Sequence, residues 1–80
     1  MKVKNVGSNM TELQLNSGTS VLFSYETPVA AKIHNPIFGD HWVKTKQWHS
    51  ATTTKHVNKW LEGIEAQLMS QEALNSLVAD

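Results

Sequence analysis

The 80-residue chain contains no cysteine, which rules out a disulfide framework and any thiolate metal site. No apolar run approaches the ~20 residues that a membrane span needs. The opening residues, MKVKNVGSNM, turn polar before an apolar stretch develops, so no secretory signal is expected. Gly7, Gly18, Gly39 and Gly63 stand alone, which leaves no glycine-rich phosphate loop. Ser24, Ser50, His49, His56 and Asp40 supply the residue types of a catalytic triad, but no nucleophile elbow frames either serine. A substrate pocket would also take much of a core this small. The expectation is a soluble cytosolic domain with no enzymatic activity, no cofactor and no membrane partner.

Eighty residues make one domain, 1–80, which buries only ~60% of its unfolded surface. Large apolar residues are spread along the whole length, as in a folded domain rather than a disordered tail. The formal net charge is zero, but its distribution is uneven. Residues 1–40 balance Lys2, Lys4 and Lys32 against Glu12, Glu26 and Asp40. Residues 41–61 hold Lys44, Lys46, Lys55 and Lys59 with no acidic residue, together with Trp42, Trp48 and Trp60 and three of the four histidines. Residues 62–80 carry Glu62, Glu65, Glu72 and Asp80. Such a bipolar chain is either an anion-binding segment beside an acidic one or ordinary helix decoration.

Residues 1–45 read mainly as strands. Leu13 and Leu15 alternate with Glu12 and Gln14, and Val21, Phe23 and Tyr25 repeat the pattern. Asn16-Ser17-Gly18 between them fits a hairpin loop with glycine in the left-handed conformation. Val3 to Val6, then a Gly7-Ser8-Asn9 turn, predict a preceding strand. Val29, Ala31 and Ile33 alternate after the Glu26-Thr27-Pro28 break, and Trp42-Val43 follows a loop bracketed by Asn35-Pro36 and Gly39-Asp40. Residues 52–79 read as helical. Val57, Trp60, Leu61, Ile64 and Leu68 form one stripe at 3.6 residues per turn, with Thr52, Thr53 or Thr54 as N-cap. Gly63 ends or weakens that helix, and Ser70 opens a second one bearing Leu74, Leu77 and Val78. The fold class expected is α+β: a small antiparallel β-meander of three to five strands, followed by two C-terminal helices packed on one face.

Three groups of residues are chemically suggestive. Lys55 and Lys59, four apart, share a helix face and repel, so Glu62 or an anionic partner should offset them. The amino end of a helix attracts phosphates, Lys44 and Lys46 would extend the patch, and Trp48 and His49 could stack on exposed bases. The plainer role of the three tryptophans is to fill a small core. His34, His41, His49 and His56 lie seven, eight and seven residues apart, without zinc-site spacing; an all-histidine site with Asp40 or Glu26 would need assembly in three dimensions. Finally, Leu74, Leu77 and Val78 either pack on the domain or offer a docking face to a partner's groove or a second copy, as in a homodimer.

Two segments resemble a known group. Ser24-Tyr25-Glu26-Thr27-Pro28-Val29-Ala30-Ala31 and Thr52-Thr53-Thr54-Lys55-His56-Val57-Asn58-Lys59-Trp60-Leu61 are similar to motifs of short, uncharacterised proteins encoded by tailed bacteriophages, as is the Lys2-Val3-Lys4 opening. The similarity covers most of residues 2–61; His34 to Trp42 stands where a tyrosine-rich hairpin is usual. The resemblance implies a phage origin, a host-cytoplasmic location and a small accessory protein that binds. Its partner would be a host or phage protein, with the protein acting as an interaction module that modulates a host factor. The alternative is nucleic acid held by the basic aromatic segment 41–61.

Overall fold

A computed structural model describes residues 1–79. Five antiparallel strands form a meander: β1 (Lys2–Gly7), β2 (Met10–Gln14), β3 (Ser20–Ser24), β4 (Thr27–Ile33) and β5 (His41–Thr45). The chain then crosses over through helix α1 (Ala51–Leu61) to β6 (Gln67–Met69), and ends in helix α2 (Gln71–Val78). The strands lie in the order β1-β2-β3-β4-β5-β6, and β6 runs parallel to β5 with Val43 opposite Gln67 and Thr45 opposite Met69. A crossover helix is what a parallel pair requires.

The hairpin between β2 and β3 closes as its residues dictate. Gly18 takes φ +94° and donates its amide to the Leu15 carbonyl at 3.0 Å, while the Leu15 amide reaches the Thr19 carbonyl at 2.8 Å. A side chain at Gly18 would be strained at that φ and would meet His34 at 3.1 Å.

The helices divide between the two faces of the sheet rather than sharing one. Neighbouring residues Val21 and Leu22 are both fully buried. Leu22 packs with Met10, Val57 and Leu61 under α1, whereas Val21 packs with Ala31, Val43 and Leu74 under α2. A strand alternates with period two, so burial at consecutive positions demands cover on both sides. In β4 the alternation also shifts. The register slips between Leu22 and Phe23, whose partners are Ala30 and Pro28, and this bulge turns Val29 to the α1 side with Ala30. Val29 and Ala31 therefore do not share a face.

The helical stripe expected from Val57 to Leu68 stops at Leu61. Glu62 and Gly63 take left-handed φ values of 51° and 84°, and the Glu62 amide closes the helix on the Asn58 carbonyl. Beyond that turn, Leu68 belongs to β6, so residues 52–79 are not uniformly helical. The N-cap of α1 is Ser50, not one of the threonines: its backbone is extended and its hydroxyl accepts the Thr53 amide at 3.1 Å. Ser70 caps α2 by accepting the Ala73 amide at 3.2 Å.

Candidate functional site

The segment between β5 and α1 presents a groove of about 190 Å³ whose walls include Lys44, Lys46, Trp48 and His49 from the sheet side, and Thr53, Thr54 and Asn58 from α1. No acidic residue lines it. Trp48 is 74% exposed, whereas Trp42 and Trp60 are half-buried and meet edge to face at 5.4 Å. Only one of the three indoles therefore stands mostly in solvent. His49 is half-buried and its Nε2 lies 2.9 Å from Gln71 Oε1. Gln71 Nε2 donates to the Pro28 carbonyl at 2.7 Å, so its amide oxygen faces His49 and His49 carries its proton on Nε2. Thr45 donates to the same oxygen at 2.9 Å. This network ties the loop carrying Trp48 to α2 and holds its base in place.

The remaining two lysines lie elsewhere. Lys59 lines a second groove, of about 520 Å³, at the carboxyl end of α1 with Glu12, Lys32, Trp42 and Trp60. Lys59 stands in the last turn of α1, where a cation favours the helix dipole. Lys55 is exposed and lines neither groove. Glu62 is the C-cap of α1, and no ion pair joins it to Lys55 or Lys59 among the described residues. Four of the six anticipated patch residues thus converge, together with three from α1 that were not expected in the patch. Thr53 and Thr54 were expected only as N-cap candidates and Asn58 only as part of the helix, because their place on the groove wall depends on how α1 lies on β3 and β4.

In the second groove, Trp60 Nε1 donates to Glu12 at 2.9 Å and Gln14 Nε2 donates to its other oxygen at 2.7 Å. Burial raises the Glu12 carboxyl, but the Gln14 and Trp60 hydrogen bonds and the charges of Lys4 and Lys32 outweigh it and hold the group below its ordinary value. Lys32 Nζ lies 5.5 Å from the Trp42 ring centre and 3.3 Å from Asp40. His34 Nδ1 also meets Asp40, at 2.7 Å, and this hydrogen bond is the main cause of the lowered Asp40 carboxyl.

One arrangement has the outline of a nucleophile and its base. Ser24 Oγ lies 2.7 Å from His56 Nδ1 and 3.0 Å from Thr53 Oγ1. Ser24 is only 2% exposed, however, sealed beneath α1 with its hydroxyl between two partners. The pair fastens α1 to β3, and Tyr25 covers His56 with ring centres 5.9 Å apart. His34, His41, His49 and His56 stay dispersed, and no group of three or more histidine or acidic side chains among the described residues is close enough to hold a metal ion. No helix among them is long and apolar enough to cross a membrane. The tail residues Leu74, Leu77 and Val78 pack into the cluster around Val21, with Leu74 fully buried. Leu77 and Val78 are half-buried at the border of that cluster.

A family model described as a family of unknown function (DUF8033) matches residues 1–76. The chain belongs to that family. The match spans all six strands and most of α2, so DUF8033 corresponds to the whole sheet with its crossover rather than to one motif. No curated protein and no solved structure matches the chain.

Proposed function

We propose that this DUF8033 domain is a non-enzymatic accessory protein of a tailed bacteriophage, acting in the host cytoplasm, and that it binds single-stranded nucleic acid along the β5–α1 groove. The phage origin rests on the Ser24–Ala31 and Thr52–Leu61 motifs. The binding reading rests on one observation: Trp48 is 74% exposed in a groove walled by Lys44 and Lys46 and free of acidic side chains. A base stacks on the indole while the lysines accompany the backbone, and Thr53, Thr54 and Asn58 supply hydroxyl and amide groups at the opposite wall. Ser24 is too deeply buried to attack a substrate, which favours binding over catalysis.

Tryptophan fluorescence during titration with a short single-stranded oligonucleotide tests this. Saturable quenching should appear at low salt and weaken as salt rises. With two lysines engaged, log K should fall with log[salt] at a slope of about −1.4, taking ~0.7 per phosphate contact. Trp48→Ala should remove the quenching and weaken binding by ~1–3 kcal/mol, the usual worth of one stacked base. Wild-type affinity in a Lys44→Glu, Lys46→Glu variant would sink the reading.

The protein-interaction reading keeps one specific support, and it has moved. Ile37 and Phe38, at the tip of the β4–β5 loop, are the most exposed of the large apolar side chains among the described residues.

A further inference from the structure

The groove at the carboxyl end of α1 holds a built carboxylate that the Trp48 groove lacks. Its volume of about 520 Å³ is that of a small-ligand pocket. The strand register sets one row along its sheet side: Gln14 lies opposite Ser20, Ser20 opposite Lys32, and Lys32 opposite Trp42. Helix α1 stops at Leu61 and brings Lys59 and Trp60 of its last turns to the same groove.

Glu12 is half-buried there, and each of its oxygens is held by a different donor, Trp60 Nε1 on one and Gln14 Nε2 on the other. An ionised carboxylate offers about four acceptor positions, so each oxygen keeps one. Burial works against the charge, but the two hydrogen bonds and the charges of Lys4 and Lys32 outweigh it. The group is thus ionised and held at both ends before any ligand arrives, which lowers the cost of binding one.

A ligand that fills both remaining positions needs two adjacent N–H donors. Among the nucleobases guanine has them, at its ring N1 and its exocyclic amino group. Adenine and cytosine set an acceptor nitrogen beside the amino group, and uracil and thymine flank one N–H with two carbonyls, so each turns a lone pair towards the carboxylate. An arginine guanidinium offers a similar donor pair. It would, however, bring a positive charge to a carboxylate already under the influence of Lys4 and Lys32, in a groove also lined by Lys59. A nucleotide brings the opposite sign. Its phosphate suits Lys59, which forms no ion pair among the described residues, and its base suits the indoles of Trp42 and Trp60. Glu62, the groove's other acid, stands exposed at the C-cap of α1.

We propose that this groove binds a guanine nucleotide, with Glu12 accepting both donors of the base and Lys59 beside the phosphate. Trp42 here and Lys44 in the Trp48 groove stand two apart on β5 and share its face, so the grooves are neighbours. Within a bound strand, which rests on the nucleic-acid reading above, guanine is then the base preferred at this end.

The NMR shift of the Trp60 indole proton tests this, during titration of the full chain with guanosine, inosine and adenosine monophosphates and with arginine. The guanine nucleotide should move it saturably. Affinity should fall about tenfold with the inosine nucleotide, which lacks the amino donor, and further with the adenosine one. A Glu12→Gln variant, checked for folding by circular dichroism, should lose that order; the order itself is read on the unaltered protein. No response to the guanine nucleotide, an equal response to the adenosine one or to arginine, or a folded variant that keeps the preference would each overturn the proposal. Oligothymidylate separates the two readings. If it fails to bind while guanosine monophosphate binds, the Trp48 reading falls and this one stands; the reverse result removes only this one.

Discussion

Where α2 meets the sheet, Val21, Ala31, Val43 and Leu74 close on one another as an apolar seal, with Leu77, Val78 and Met69 around it. Where α1 meets the opposite face, apolar contacts from Val57 and Leu61 share the interface with Ser24, Thr53 and His56, and Trp60 is tied to Glu12. The α2 contact rests on area removed from water, which is non-directional, with directional bonds only at its first residue, Gln71. The α1 contact adds hydrogen bonds that fix how the helix lies. That difference bears on the proposed site, because the groove around Trp48 needs α1 held in one place on β3 and β4.

The sharpest way to break this comparison is Leu74→Ala. Its side chain is fully buried, and the lost contacts plus the cavity should cost ~2–5 kcal/mol. A domain of this length has about 4–12 kcal/mol of stability in total, so urea unfolding should show a large drop in midpoint. A negligible change would mean that α2 is not the anchor. Ser24→Ala should come next, at about 1–3 kcal/mol, because it leaves His56 and Thr53 short of a buried partner. Ser50→Ala removes only the N-cap of α1 and should cost ~1 kcal/mol.

The Glu12 tie sharpens the comparison through pH. Its folded-state carboxyl titrates below the ordinary glutamate range. The stabilisation is therefore fully present above that ordinary range and is lost as pH falls through the lowered folded value. Trp60→Phe removes one of the two hydrogen bonds. An NMR titration should then show the Glu12 carboxyl moving upward, and urea midpoints should depend less on acid pH than in wild type. An unmoved titration would mean that Trp60 does not hold the carboxylate. Smallest of all, Trp48→Ala should leave the unfolding midpoint within about 0.5 kcal/mol of wild type, as exposed positions do. A larger loss would place Trp48 in the core and remove the stacking platform.

The meander was legible because alternation along Thr11–Leu15 and Thr19–Tyr25 is local, and Asn16-Ser17-Gly18 carries its own turn geometry. The Ser70 cap was legible for the same reason. The partition of the helices was not. Consecutive apolar residues at Val21-Leu22 and Val29-Ala30-Ala31 hinted at two covered faces, but a bulge and a two-sided strand look alike as a run of apolar letters. Strand β6 was hidden because Ile64 and Leu68 continue the helical spacing of Val57 and Leu61 past the Glu62–Gly63 stop. At the candidate site, the concentration of Lys44, Lys46, Trp48 and His49 marked the right stretch. Which tryptophan stands in solvent depended on the partners that Trp42 and Trp60 found in each other and in Glu12.

By itself the sequence determined the α+β class, the β2–β3 hairpin, the second helix cap and the lack of any thiol chemistry, because each is written in composition or in residues within a few positions of one another. Tertiary structure alone decided that Lys55 and Lys59 leave the Trp48 groove, that Leu74 is fully buried against Val21, and that Ser24 meets His56. Ser24 and His56 alone stand 32 positions apart, and local preference has no hold over contacts made only when the sheet and helices close.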